Sequence, residues 1–182
     1  MRPLYIFDLD GTLALIEHRR HFVERPACPH CGWEKLCDHY YDGTRPAFKQ
    51  NWAAFYAACV DDLPNIPVIR TLQTLRKAGA EIWVWSGRSE EVRAETEQWL
   101  FDHGIFRRVP LLDWDPFSPP EMFRMRPARD FAPDEVLKAG WLSEMEPPER
   151  DRLTAVFDDR DKVVKMWRAY GVACFQVAPG EF

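Results

Sequence analysis

No run in this 182-residue chain comes near the roughly 18 consecutive apolar residues that a membrane-spanning helix requires. The first apolar run opens at residue 3, so a signal peptide is not expected ahead of it. An excess of positive charge is also lacking. Lys plus Arg number 24 against 29 Asp plus Glu, a formal charge of −5. That balance argues against a protein that coats nucleic acid by charge alone, while leaving room for local basic clusters. Internal repeats and low-complexity tails are missing, and the Pro-rich pieces read as loop punctuation. Cysteine is scarce, at five residues. With a cytosolic, reducing setting as the default expectation, these five are thiols or metal ligands rather than disulfides.

What is present is enough for one ordinary domain, 46% hydrophobic. Residues 3 to 8 form a continuous apolar stretch, the pattern of a strand buried on both faces. "EIWVWS" at 81–86, "LTAVF" at 153–157 and "VACFQV" at 172–177 repeat it, with 108–112 a weaker candidate. Helical periods lie between. Val68, Leu72 and Leu75 share one face, ended by Gly79. Val92, Thr96, Trp99 and His103 share another, closed by Gly104, and residues 160–170 form a third helix closed by Gly171. This alternation predicts an α/β fold with a parallel sheet covered by helices on both faces, binding ligands beyond the carboxyl ends of its strands. Two stretches break the rhythm. Residues 14–65 separate the first strand from the next core helix and hold most of the cysteines, with a helix expected over 47–60. Residues 113–132, rich in Pro and Arg, read as a loop.

The strong strands run into polar residues. The first ends at Asp8 and Asp10, the second at Ser86-Gly87-Arg88, and "LTAVF" at Asp158-Asp159, with Lys138 in the helical pattern just before it. Parallel strands would bring these ends to one rim. Two carboxylates one residue apart repel each other unless a cation lies between them. Magnesium takes hard oxygen ligands, and Asp8 and Asp158 can supply two, with Asp159 nearby. Asp8 can then attack a phosphoryl group and form an aspartyl-phosphate. Asp10, held protonated by its like-charged neighbours, can protonate the leaving oxygen and later activate water. Ser86, the backbone after it and Lys138 can hold the phosphoryl oxygens.

"DLDGTLA", "WSGR", the lysine of "EVLKAGWL" and "FDDRDKVV" follow the order of the four motifs of the haloacid dehalogenase (HAD) superfamily of phosphatases, which this chain resembles over most of its length outside residues 14–65. The run from "FDDRDKVV" to the end, "SGR", and the arginine of "RMRP" are similar to the 3′-phosphatase domain of bacteriophage polynucleotide kinase. The resemblance implies a single HAD-like (Rossmann-like) domain over 1–182 with a cap-like insertion at 14–65. It implies a magnesium-dependent phosphomonoesterase with Asp8 as nucleophile, Asp10 as acid/base and Lys138 as a further catalytic group. Thr12, Ser86, Gly87, Arg88 and Arg126 would bind substrate, and Asp8, Asp10, Asp158 and Asp159 would lie on the magnesium side. Removal of 3′-phosphate from polynucleotide ends is the implied activity, with a phage or its host as the implied source. The chain contains no G-x-x-x-x-G-K-S/T, so ATP-dependent 5′-phosphorylation is not expected of it.

"CPHCGWEKLCDH" places Cys28, Cys31, Cys37 and His39 as C-x2-C-x5-C-x-H, a set suited to closed structural zinc in a loop over 28–39. His30 could stand in for His39, and reduced thiols in a polar loop are the plain alternative. Cys59 and Cys174 lie in apolar patterns, as do Trp83, Trp85 and Trp99, while Trp33 is the tryptophan expected at the surface. Lys138 and Arg88 could instead be a solvated helix lysine and a helix-start residue. Arg124, Arg126 and Arg129 could each form a loop salt bridge. In "EHRRHF", His18, Arg19 and His21 could reach substrate, though a solvated helix face is the simpler expectation. Two rival functions stand beside the first. One is a nucleotidase acting on free nucleoside monophosphates. The other is a zinc-bearing nucleic-acid-binding module without catalysis.

Overall fold

The computed structural model describes residues 1–32, 37, 39, 47–106 and 122–180. Five parallel strands form the main sheet: β1 (Leu4–Phe7), β4 (Glu81–Ser89), β5 (Phe123–Arg126), β6 (Leu153–Asp158) and β7 (Cys174–Gln176), in the order β5-β4-β1-β6-β7. A parallel strand needs a crossover before its neighbour. The crossovers here are α3 (Ile66–Lys77), α4 (Arg93–Asp102), α5 (Asp134–Ser143) and α7 (Asp161–Ala169). Short elements complete the chain: β2 (Ala14–Leu15), α1 (Glu17–Arg20), α2 (Trp52–Ala57), β3 (Leu63–Pro64) and α6 (Pro147–Arg150). Among the described residues no helix is long and apolar enough to cross a membrane.

Side-chain alternation on the strands divides the core in two. Trp83 and Trp85 of β4 and Leu4 and Ile6 of β1 face α5 and α7, packing with Trp141, Leu142, Val163 and Trp167. Ile82 and Val84 of β4 and Phe7 of β1 turn the other way, against Ile69 and Leu72 of α3 and Trp99 and Leu100 of α4. The rings of Trp141 and Trp167 lie 5.6 and 5.8 Å from Trp85, and Phe7 stacks on Phe157 at 4.4 Å. The central strands are therefore covered on both faces, as their continuous apolar runs predict, whereas β7 departs from that pattern, with Phe175 and Gln176 exposed. The expected helix endings also hold: Gly79, Gly104 and Gly171 all adopt positive φ.

Strand β5 corrects the loop reading of 113–132. Its sequence, Phe-Arg-Met-Arg, carries two charges in four residues, so it shows none of the apolar continuity of the other strands. Among the described residues it pairs on one side only, with β4, and of its two central residues Met125 is buried. The strand keeps its arginines because both are paired: Arg124 with Glu144, and the buried Arg126 with Asp134. The candidate strand at 108–112 and Trp33 lie outside the described residues.

The chain divides into two compact units, Met1–Leu15 with Leu63–Phe182, and Ile16–Asp62. The second is narrower than the insertion expected over 14–65. Ala14–Leu15 and Leu63–Pro64 pair antiparallel with each other and so belong to the parent unit. Asn65 ties the returning chain down, its Nδ2 donating to Thr12 O at 2.9 Å and its backbone N–H to Leu13 O at 2.8 Å. Within Ile16–Asp62, Arg19 is wholly buried rather than on a solvated helix face. Its Nε and Nη2 donate to the two Asp62 oxygens at 2.6 and 2.7 Å, and its guanidinium lies 4.1 Å from the centre of the Phe55 ring. A bidentate pair of this kind satisfies a buried arginine that water cannot reach.

Candidate active site

The site grows from three strand ends. Asp8 follows the last residue of β1, Asp158 ends β6 with Asp159 next to it, and Ser86 lies where the β4–β5 ladder loses its register. That irregularity, between Ser86 and Ser89, lifts Gly87 and Arg88 out of regular pairing, the way bulges re-aim side chains beside active sites. The Arg88 N–H donates to Ser86 Oγ at 3.1 Å. Lys138 comes from α5.

One oxygen from each of Asp8, Asp158 and Asp159 lies within 4.8 Å of the others, and all three residues are buried. Lys138, 1% exposed, donates through Nζ to Asp8 Oδ1 at 2.5 Å and Asp158 Oδ2 at 2.7 Å. It is no solvated helix lysine. Thr12 Oγ1 donates to Asp159 Oδ1 at 3.2 Å. One ammonium cannot neutralise three carboxylates, and the electrostatics show it. Burial raises the Asp8 carboxyl well above its ordinary range, with Asp158 and Asp159 adding to the rise against the pull of Lys138. Burial and then Asp158 push Asp159 up to about 7. Burial would deprotonate Lys138, but Asp158, Asp8 and Asp134 outweigh it and hold its pKa above the usual lysine range.

The donor set fits magnesium. The ligands are hard oxygens, the cluster has surplus negative charge, and an octahedral ion with ligands at ~2.1 Å sets them roughly 3–4 Å apart. Asp10 stands outside this side-chain cluster, and its side chain faces Arg88. Arg88 is fully buried, and its Nε and Nη2 donate to Asp10 while Nη1 donates to Thr96 Oγ1 at 3.3 Å. The like charges invoked to protonate Asp10 are thus answered by a guanidinium.

Arg126 points into structure. Its Nε donates to Gly87 O at 2.8 Å, its Nη1 to Ala132 O at 2.6 Å and its Nη2 to Asp134. Asp134 also accepts from Arg160 Nη1. The motif reading missed Asp134 and Arg160. Both had a signal, since Asp134 lies one helical turn before Lys138 and Arg160 directly follows the paired aspartates. Two glycines let these groups close up. A Cβ on Gly87 would come within 2.6 Å of Asp134 Oδ1. A Cβ on Gly11, where φ is +83°, would come within 2.1 Å of Asp159 Oδ2. Gly11→Ala is expected to lose ~1–2 kcal/mol from the left-handed backbone alone. It should also displace Asp159 and slow any chemistry there. A lowered melting temperature together with slower phosphate release checks it, and a variant matching the parent in both would remove Asp159 from the site.

In the second unit, Cys28, Cys31, Cys37 and His39 come together, each offering an atom within 4.8 Å of the others. Against the burial that raises it, hydrogen bonds from the His30 and Cys31 backbone and from the Cys31 and Cys37 thiols bring Cys28 down to about 6. Cys59 and Cys174 are buried, as their apolar surroundings predict.

Carboxylates at the C-terminal ends of parallel strands, with a lysine bridging them, define an α/β phosphatase of the HAD type. The model of the polynucleotide kinase (PNKP) phosphatase domain matches residues 34–182, and the chain belongs to that family. A chain of the Pnkp1/Rnl/Hen1 complex is 27% identical with a TM-score of 0.65, and one of the Pnkp1/Rnl/Hen1 RNA repair complex is 27% identical with a TM-score of 0.66. Both matches cover 100% of this chain but 48% and 44% of those chains, so it spans about half their length or less. A structure from Clostridium difficile matches at 13% identity and a TM-score of 0.51, over 96% of this chain and 84% of its own. That likeness concerns the fold alone.

Proposed function

We propose that the chain removes 3′-phosphate from polynucleotide ends, with magnesium, through a phosphorylated Asp8. The observation that carries this is the buried group of Asp8, Asp158 and Asp159 bridged by Lys138. Asp8, Asp158 and Asp159 would hold the magnesium, which supplies charge neutralisation between a phosphate and an attacking carboxylate. Lys138 orients Asp8 so that one oxygen faces the phosphorus, and its charge favours the ionised nucleophile. The carboxylate oxygen forms the new P–O bond as the bond to the leaving 3′-oxygen breaks. Asp10 gives that oxygen its proton, then takes one from the water that attacks the acyl-phosphate. Arg88 is placed to exchange Asp10 for a substrate phosphate, which frees Asp10 for this proton traffic. Ser86 and the backbone at Gly87 and Arg88 hold phosphoryl oxygens, and Thr12 steadies Asp159. Arg126 acts indirectly, by fixing Gly87 and Asp134.

The family supports the polynucleotide end as substrate, and the similar RNA repair complex makes an RNA end the first one to try. The unit Ile16–Asp62 is our candidate for the cap that chooses among substrates. The test is phosphate release from 3′-phosphorylated RNA and DNA oligonucleotides and from nucleoside 3′- and 5′-monophosphates, with magnesium or with chelator. The expected result is magnesium-dependent release, fastest from an oligonucleotide. Release from free nucleotides alone would make the protein a nucleotidase. Oligonucleotide binding without release would make it a silent binding module.

A further inference from the structure

We propose that Cys28, Cys31, Cys37 and His39 bind one zinc ion as a closed structural site within the unit Ile16–Asp62, apart from the phosphatase chemistry. Zinc binds thiolate sulfur at about 2.3 Å and imidazole nitrogen at about 2.0 Å, so tetrahedral ligands lie roughly 3.5–3.8 Å from one another. His39 Nδ1 lies 3.8 Å from Cys28 Sγ and 4.0 Å from Cys37 Sγ, with all four ligand atoms inside 4.8 Å. The loop is shaped for this. Gly32, at φ +72°, donates its N–H to Cys28 O at 2.8 Å, which closes a tight turn between the first two ligands. The alternative ligand does not enter: His30 lies beside His39, ring centres 5.1 Å apart, and is not among the four. Three sulfurs and one imidazole suit zinc and poorly suit magnesium or calcium, which prefer oxygen. Four protein ligands leave no open position, so the site holds structure rather than doing chemistry.

The unit has a reason to need such a staple. Its buried apolar residues among those described are Ile16, Cys28, Phe55 and Cys59, and none belongs to either core cluster of the sheet. A segment this short with so small a core ordinarily requires a metal or a disulfide to stay ordered. The cysteines are not disulfide-bonded. The buried Arg19–Asp62 pair orders one end of the segment, and the metal would order the loop that the pair does not reach.

The test uses the intact protein and no activity assay, so failure of the phosphatase reading leaves it untouched. Protein made in zinc-supplemented medium should carry about one zinc per chain by elemental analysis. Cobalt exchanged into the site should give the near-ultraviolet thiolate charge-transfer band and the visible bands of a tetrahedral ion. Cys31→Ser should lose most of the zinc, and Cys59→Ser, outside the cluster, should keep it. If Cys31→Ser does not fold, the cobalt spectrum of the unaltered protein still decides. Zinc-free protein without the charge-transfer band, or a cobalt spectrum unchanged by Cys31→Ser, would overturn the inference.

Discussion

Asp8→Asn should lose phosphate release by on the order of 10⁴-fold or more while keeping the fold intact. On the proposed route the substitution removes the attacking oxygen, rather than one stabilising contact, and losses of this kind are the largest that single residues give. Its stability follows from the burial of Asp8. A carboxyl whose folded pKa lies above its unfolded one holds its proton more tightly when folded, so the stability it contributes falls as pH rises through that interval. Asp8 is such a group. An amide of the same shape avoids the cost of burying a third negative charge and can still accept a hydrogen bond from Lys138. The melting temperature at neutral pH should be equal or higher, and circular dichroism melts beside the release assay check both parts. A variant that folds normally and keeps more than a small fraction of the rate would rule out Asp8 as nucleophile.

Lys138→Met should be damaging in both respects. Methionine fills a similar volume but leaves Asp8 and Asp158 without the ammonium that donates to both. Removing one partner from a buried ion pair typically costs about 3–5 kcal/mol. For a chain of this size that corresponds to a fall in melting temperature on the order of 10 °C. Losing the charge beside the nucleophile should also slow release by roughly 10²–10³-fold. Differential scanning calorimetry and the release assay read these separately. An unchanged melting temperature with an unchanged rate would show that the buried ammonium neither holds the site together nor serves its chemistry.

The parts of this molecule legible in its sequence are those where one physical requirement dominates. Strands buried on both faces must be apolar throughout, so β1, β4 and β6 announce themselves. Helices that stop in a left-handed turn call for glycine, so Gly79, Gly104 and Gly171 mark their ends. Carboxylates placed after buried strands have few reasons to exist besides chemistry, so Asp8, Asp158 and Asp159 stand out before any coordinates. The rest depends on partners distant in the chain. Strand β5 carries two arginines in four residues, one half-buried and one buried against partners distant in the chain, so periodicity hides it. Arg19 reads as solvated until Asp62, 43 positions on, closes over it. The partners of Arg126, among them Gly87, Ala132 and Asp134, are not visible in any local pattern. The pairing of Asp10 with Arg88, 78 positions on, is likewise not visible in any local pattern.

The short ladder between Ala14–Leu15 and Leu63–Pro64 has an evolutionary consequence. Its antiparallel pairing brings the departing and returning chain to neighbouring positions, as a hairpin does. A sheet tied off in this way does not register the length of whatever is inserted beyond the tie. The entropic cost of closing such a loop grows only with the logarithm of its size. The fold is thereby open to grafting at one point. A lineage can lengthen, shorten or replace the segment that carries the cysteine cluster while the strands of the site keep their register.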